Sequence, residues 1–69
     1  MPQVSTTVPE FDIFLGSCEN NALWLESVGG LDAAVQRMHE IAARRPGMYF
    51  VLNLRDRVIV AKTDTRPDK

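Results

Sequence analysis

Four segments of this chain are predicted to be β-strands with apolar residues on both faces, whereas only one segment has the spacing of an amphipathic helix. The strand segments are 11–15, 22–28, 48–53 and 57–61, and the helical segment is 31–44. One helix shields one face of a small sheet and leaves the other face without a cover. The sequence therefore predicts a sheet whose second face needs a partner, a ligand or another copy of the chain.

The length of 69 residues corresponds to a single domain. A domain of this size buries only about 60% of the surface of its unfolded chain, so it is marginally stable. Cys18 is the only cysteine, which excludes an internal disulfide, and His39 is the only histidine. A zinc site with the usual four Cys or His ligands is thus excluded. We expect no cofactor, and oligomerisation is the remaining support for so small a domain.

The helix has the clearest signal in the chain, because the apolar residues of segment 31–44 fall on one stripe. Asp32 in the first turn and Arg44 in the last turn have the charges that suit the helix dipole. Pro46 disfavours helical geometry at Arg45, so we expect the helix to end near Arg44. The stripe consists of Leu31, Ala34, Val35, Met38, Ile41 and Ala42.

These elements predict an α+β fold with the order ββαββ, in which one helix packs on one face of a four-stranded sheet. The helix connects the second strand to the third, so these two strands run parallel. If the first strand lies between them, all neighbours are antiparallel, the strand order is 2-1-3-4 and the crossover is right-handed. The alternative order, 1-2-3-4, needs a parallel central pair. Residues 10–62 form the predicted domain, and 1–9 and 63–69 are predicted to be flexible tails.

Alternation within each strand predicts which residues face the helix, although a register error of one residue exchanges the two sets. The set assigned to the helix side is wholly apolar: Phe11, Ile13, Leu15, Leu23, Leu25, Met48, Phe50, Leu52, Val58 and Val60. The set assigned to the outer face is mixed: Asp12, Phe14, Trp24, Glu26, Val28, Tyr49, Val51, Asn53, Arg57, Ile59 and Ala61.

Large apolar side chains in the outer set predict a contact surface, because burial of each is worth about 1.5–3 kcal/mol. Contiguous exposed apolar patches usually mark such surfaces. We expect a small non-enzymatic interaction module that forms a homodimer, or binds another protein, through the outer face or the edge strands. The predicted interaction residues are Phe14, Trp24, Tyr49, Val51 and Ile59.

Catalysis is not expected from the residue pattern. A nucleophilic cysteine needs a base beside it, and nothing in the spacing brings His39 on the helix flank to Cys18 in a turn. Asp12 and Glu26 share the predicted outer face, but a flat sheet offers no cleft that would separate their pKa values. We therefore interpret these residues as surface groups and predict no catalytic or metal site.

Nucleic-acid binding is the alternative function. Residues 1–36 hold five acids and no Lys or Arg, whereas residues 37–69 hold eight bases and four acids. The aromatic residues of the outer face are typical of RNA-stacking platforms, but Asp12 and Glu26 on that face disfavour phosphate. Residues 24–42 resemble the strand–helix unit of HicB-type antitoxin domains, without the third strand expected before the helix. This resemblance implies an antitoxin-like regulatory domain.

Localisation is predicted from features that the sequence lacks. It has no apolar run near the roughly 20 residues that span a membrane, so we expect no membrane partner. Residues 1–9 show no basic region followed by an apolar one, which disfavours a signal peptide. A lone cysteine then favours the cytoplasm.

Overall fold

A computed structural model describes residues 9–17 and 22–67 of the chain. The sheet has the order β2-β1-β3-β4, and each neighbouring pair is antiparallel, so the predicted α+β fold and strand order are confirmed. Cys18 and residues 1–8 of the predicted N-terminal tail lie outside the described residues. The elements are β1 (Glu10–Leu15), β2 (Leu23–Gly29), α1 (Leu31–Arg44), β3 (Met48–Asn53) and β4 (Val58–Asp64).

The core lies between α1 and the two central strands. Three helix residues at four-residue spacing, Ala34, Met38 and Ala42, are buried there. The two alanines have small side chains, so the helix axis can approach the sheet closely on either side of the longer methionine. The buried strand residues of this core cluster are Phe11, Ile13, Tyr49 and Val51.

Both ends of α1 are fixed by backbone hydrogen bonds. Gly30 precedes the helix with a φ of +92°, a conformation that L side chains rarely adopt. Its N–H donates to the carbonyl of Pro9 at 2.8 Å, which ties the start of the helix to the start of β1. At the other end, the N–H of Arg45 donates to the carbonyl of Ile41 at 2.9 Å. The helix therefore ends at Arg44, as predicted.

The predicted faces of β3 are wrong, and in β4 the prediction fails beyond the bulge at Val60, where Ala61 packs against the core instead of lying on the outer face. β1 pairs with β3 so that Ile13 lies opposite Val51 and Phe14 lies opposite Phe50. Ile13 faces the helix, so Val51 does too, and Phe50 lies on the opposite face. Alternation alone could not decide this, because both residue sets of β3 are largely apolar. Tyr49 has an added reason to face the helix, since its hydroxyl donates to the carbonyl of Arg45 at 2.6 Å.

A β-bulge changes the faces of β2. Ile13 pairs with Glu26, but Phe14 pairs with Trp24, so Leu25 is an extra residue in the ladder. Beyond the bulge the alternation is shifted by one residue. Val28 consequently packs against the core, and the carboxylate of Glu26 reaches Arg37 on the helix at 2.8 Å. Both residues were predicted on the outer face.

The folded region extends further toward the C-terminus than the sequence predicts. β4 runs to Asp64, whereas the predicted strand ends at residue 61. Thr65 then joins three parts of the chain. Its N–H donates to the carbonyl of Gly47 at 2.9 Å, and its hydroxyl donates to the carbonyl of Ala42 and accepts from the N–H of Gly47, both at 3.1 Å. The sequence predicts a flexible tail from residue 63, whereas residues 63 and 64 belong to β4 and Thr65 is hydrogen-bonded to the folded region.

We predict that Thr65→Val destabilises the domain by about 1 kcal/mol, because the substitution keeps the shape of the side chain and removes its hydrogen bonds. In a domain of this size such a loss lowers Tm by about 4–8 °C. Thermal unfolding followed by circular dichroism measures it. Thr65→Ser keeps the hydroxyl and is the control. Equal losses in both variants would contradict the hydrogen-bonding role.

Candidate interaction surface

The face of the sheet that points away from α1 is called the uncovered face here, because no described element lies over it. Its residues are identified by the ladders, in which directly paired residues point to the same side. They come from all four strands. The ladders place on the uncovered face Asp12, Phe14, Trp24, Ser27, Met48, Phe50, Leu52, Ile59, Lys62 and Asp64.

The centre of the uncovered face is buried rather than open. Phe50 is 1% exposed and Leu52 is 4% exposed, although both lie on the side away from the helix. The rings of Phe14 and Phe50 stack at a centroid distance of 5.0 Å with an interplanar angle of 15°. Aromatic pairs in this range favour an offset arrangement and add to the burial of their surfaces. The middle of this face therefore has little apolar area left for a partner.

The exposed apolar area of the sheet lies on its two outer strands. Leu23 and Trp24 on β2 are 60% and 54% exposed, and Val58 and Val60 on β4 are 52% and 40% exposed. Both outer strands also carry a bulge, at Leu25 in β2 and at Val60 in β4. Bulges twist an edge strand and limit uncontrolled pairing with other chains. The surface open to a partner is thus divided between two opposite edges.

The structure separates the five predicted interaction residues into two groups. Phe14 and Trp24 are cross-strand partners on the uncovered face. Ile59 also lies on that face, because it pairs with Leu52 in the ladder between β3 and β4. Tyr49 and Val51 belong to the helix-covered core, with 2% and 0% of their surfaces exposed, so their predicted place on the outer face is wrong. The interaction role of Phe14, Trp24 and Ile59 stays a prediction.

Sequence reasoning did not find the part-buried hydrogen bond on the uncovered face. Asp12 is 9% exposed, and its carboxylate accepts a hydrogen bond from the hydroxyl of Ser27 at 2.5 Å. The two residues are cross-strand partners on β1 and β2. An acid that alternates with apolar residues in a central strand, as Asp12 does, is the signal that could have suggested a buried partner.

Of the cationic side chains in the described residues, five lie near the two ends of the sheet, Arg37 lies on α1, and Lys62 lies on the uncovered face opposite Phe50. Arg55 and Arg57 lie in the turn between β3 and β4, whereas Arg44, Arg45 and Arg66 lie near the end of α1. The Arg66 guanidinium donates to the carboxylate of Asp64 and holds the pKa of that carboxyl below its usual value. The guanidinium of Arg37 likewise donates to Glu26 and Glu40, and these hydrogen bonds raise the pKa of Arg37. This arrangement does not place a basic surround on the face that carries Phe14 and Trp24.

A shallow groove of about 270 Å³ lies at the end of the sheet where β1 and β4 end and β3 begins. Met48 and Phe50 form part of its wall, and Lys62 and Asp64 lie beside them. Pockets that bind small molecules are usually enclosed and about 300–1,000 Å³ in volume. The groove is smaller and open, so it does not point to a small-molecule site.

Within residues 9–17 and 22–67, no three His, Cys, Asp or Glu side chains lie close enough together to hold a metal ion. His39 is exposed on α1. In this same part of the chain, no helix has the length and apolar character to cross a membrane. Comparisons with protein-family models, curated proteins and solved structures found no match to this chain.

We predict that Ser27→Ala lowers the free energy of unfolding by about 1–3 kcal/mol, because it leaves the buried carboxylate of Asp12 without this donor. Urea denaturation at neutral pH measures the loss.

The matched control replaces both partners. Asp12→Val with Ser27→Ala should be more stable than Ser27→Ala alone, since it removes the buried carboxylate that has lost its donor. If Ser27→Ala is as stable as the unmodified chain, Asp12 does not depend on Ser27.

Proposed function

We propose that this chain is a non-enzymatic protein-interaction module that associates with a second copy of itself through an outer strand of its sheet. One observation carries the proposal: the large exposed apolar side chains of the sheet lie on β2 and β4, whereas the centre of the uncovered face is buried. Edge strands also have unpaired backbone groups that another strand can use. An outer strand with exposed apolar side chains therefore favours pairing between chains.

The size of the domain supports the same proposal. In the described residues one helix covers one face of the sheet, and Phe50 and Leu52 are the buried apolar residues of the other face. Small domains of this kind usually gain further stability from disulfides, metals or association. Association through an edge strand adds backbone hydrogen bonds and buries side chains without a change in the fold. The expected interface is small, so the affinity is expected to be modest.

We predict that size-exclusion chromatography with light scattering gives a mass near twice the monomer mass of 7.7 kDa at high concentration. The mass should fall toward the monomer value on dilution, because association depends on concentration. Concentrations from about 1 to 200 µM bracket the affinities typical of small interfaces. A monomer mass throughout this range would overturn the proposal.

Three variants locate the contact. Val60→Glu places a charge on β4 and Trp24→Glu places one on β2, whereas Leu54→Glu changes an exposed residue of the turn and is the control. Each of the three native side chains is at least 39% exposed, so the variants should fold, as circular dichroism can verify. We expect Leu54→Glu to leave the measured mass unchanged. Loss of dimer in only one of the other two variants identifies the edge that pairs.

A further inference from the structure

We propose that two copies of the chain pair their β4 strands in antiparallel register about Thr63, so that Lys62 of each copy lies opposite Asp64 of the other. This inference rests on the proposed function and makes it specific, since it names the strand, the register and the residues in contact. Under this proposal the two four-stranded sheets form one continuous sheet of eight strands.

The backbone of β4 provides the groups that such pairing needs. β4 is an edge strand whose partner among the described strands is β3. The N–H of Thr65 points inward, because it donates to the carbonyl of Gly47 in the turn before β3. Backbone groups of an antiparallel strand point alternately to its two sides. Thr63 and Thr65 thus use their groups within the chain, whereas Lys62 and Asp64 have theirs on the open side.

The direction of these groups limits the possible registers. In a symmetric antiparallel pair, residues that face each other must both have outward groups or both have inward groups. Their side chains must also lie on the same face. Both conditions require that the twofold axis pass through a residue rather than between two residues. In the regular part of β4 beyond the bulge, the candidate axes are at Ala61, Lys62, Thr63 and Asp64.

Charge distinguishes these four registers. An axis at Lys62 places that ammonium against its own copy, and an axis at Asp64 does the same for the carboxylate. Like charges directly opposite each other destabilise a pair of strands, whereas opposite charges stabilise it. An axis at Ala61 pairs neither charge with its opposite. Only the axis at Thr63 places Lys62 against Asp64, and it does so twice in each dimer.

The other edge of the sheet offers no such match. The chain has no Lys or Arg before Arg37, so a pair of β2 strands contains no cation on either copy. Glu26 of β2 forms an ion pair with Arg37 of its own chain at 2.8 Å, and Asp64 of β4 forms one with Arg66 at 2.9 Å, so it is the absence of a β2 cation that separates the two edges. The bulges do not distinguish the two edges, because Leu25 in β2 and Val60 in β4 are each the third of seven strand residues and each leaves four regular residues after it. The difference between the edges is that β4 carries both a cation and an anion in its regular part.

A charge exchange tests the register. Lys62→Glu alone or Asp64→Lys alone places like charges opposite each other at both contacts, and we expect the dimer Kd to weaken roughly tenfold or more. The double variant Lys62→Glu with Asp64→Lys restores opposite charges with the signs reversed. It should recover most of the affinity. Sedimentation equilibrium measures all four proteins at the same salt concentration.

A cysteine at the axis gives an independent measurement. Thr63 and its copy would form a pair without mutual hydrogen bonds, with Cα atoms about 4.5 Å apart. A disulfide accepts Cα distances of about 4.4–6.8 Å. In a Cys18→Ser background, Thr63→Cys should therefore cross-link rapidly under mild oxidation. Leu23→Cys on β2 is the control, since Leu23 is 60% exposed and would cross-link at least as fast through random collisions.

The outcomes separate the inference from the proposed function. A dimer whose affinity is restored in the double variant, and which cross-links faster at residue 63 than at residue 23, supports both. A dimer that is unaffected by the single charge changes, or is lost in Trp24→Glu, overturns the β4 register and leaves the homodimer in place. Assemblies larger than a dimer would indicate β2–β4 pairing, which does not close, and would overturn the register too. A monomer at all concentrations overturns both proposals.

Discussion

Ala34, Met38 and Ala42 press one side of α1 against β1 and β3, and at most 1% of each side chain remains exposed. Because the chain has a single helix in its described part, this contact determines which side of the sheet is covered. Every strand must then turn its best-fitting residues toward the helix, whatever its own alternation favours. The arrangement of Phe14 and Phe50 on the other side, and the exposure of the outer strands, follow from that choice.

The two bulges adjust the outer strands to this single contact. In β2 the extra residue at Leu25 brings both Leu25 and Val28 against the core, and it lets Glu26 reach Arg37. A regular strand would turn one of these side chains away. The same bulges shorten the regular part of each edge, which restricts where another strand can pair. The bulges that fit the outer strands to the core therefore also determine which part of each edge stays regular.

The sequence predicts the elements and their order well for physical reasons. The stripe of α1 and the apolar runs of the strands are local signals, and a helix between two strands of one sheet leaves few topologies. The faces of β3 could not be predicted, since Tyr49 and Val51 compete with Phe50 and Leu52 for the same side and all are apolar. Bulges have no pattern of their own. The role of Thr65 was missed because its partners, Ala42 and Gly47, are known only once the fold is formed.

The hydrogen bonds at the two ends of α1 also fix where the chain enters and leaves the domain. Pro9 contacts the residue before the helix, whereas Thr65 contacts Ala42 near its last turn. A helix of 14 residues is about 20 Å long, so these points are separated by about that distance. Polypeptides fused before Pro9 and after Thr65 would therefore start from opposite ends of the domain. Tension between them would pull β1 and β4 in opposite directions along their lengths, and the ladders that join both strands to β3 would resist it in shear.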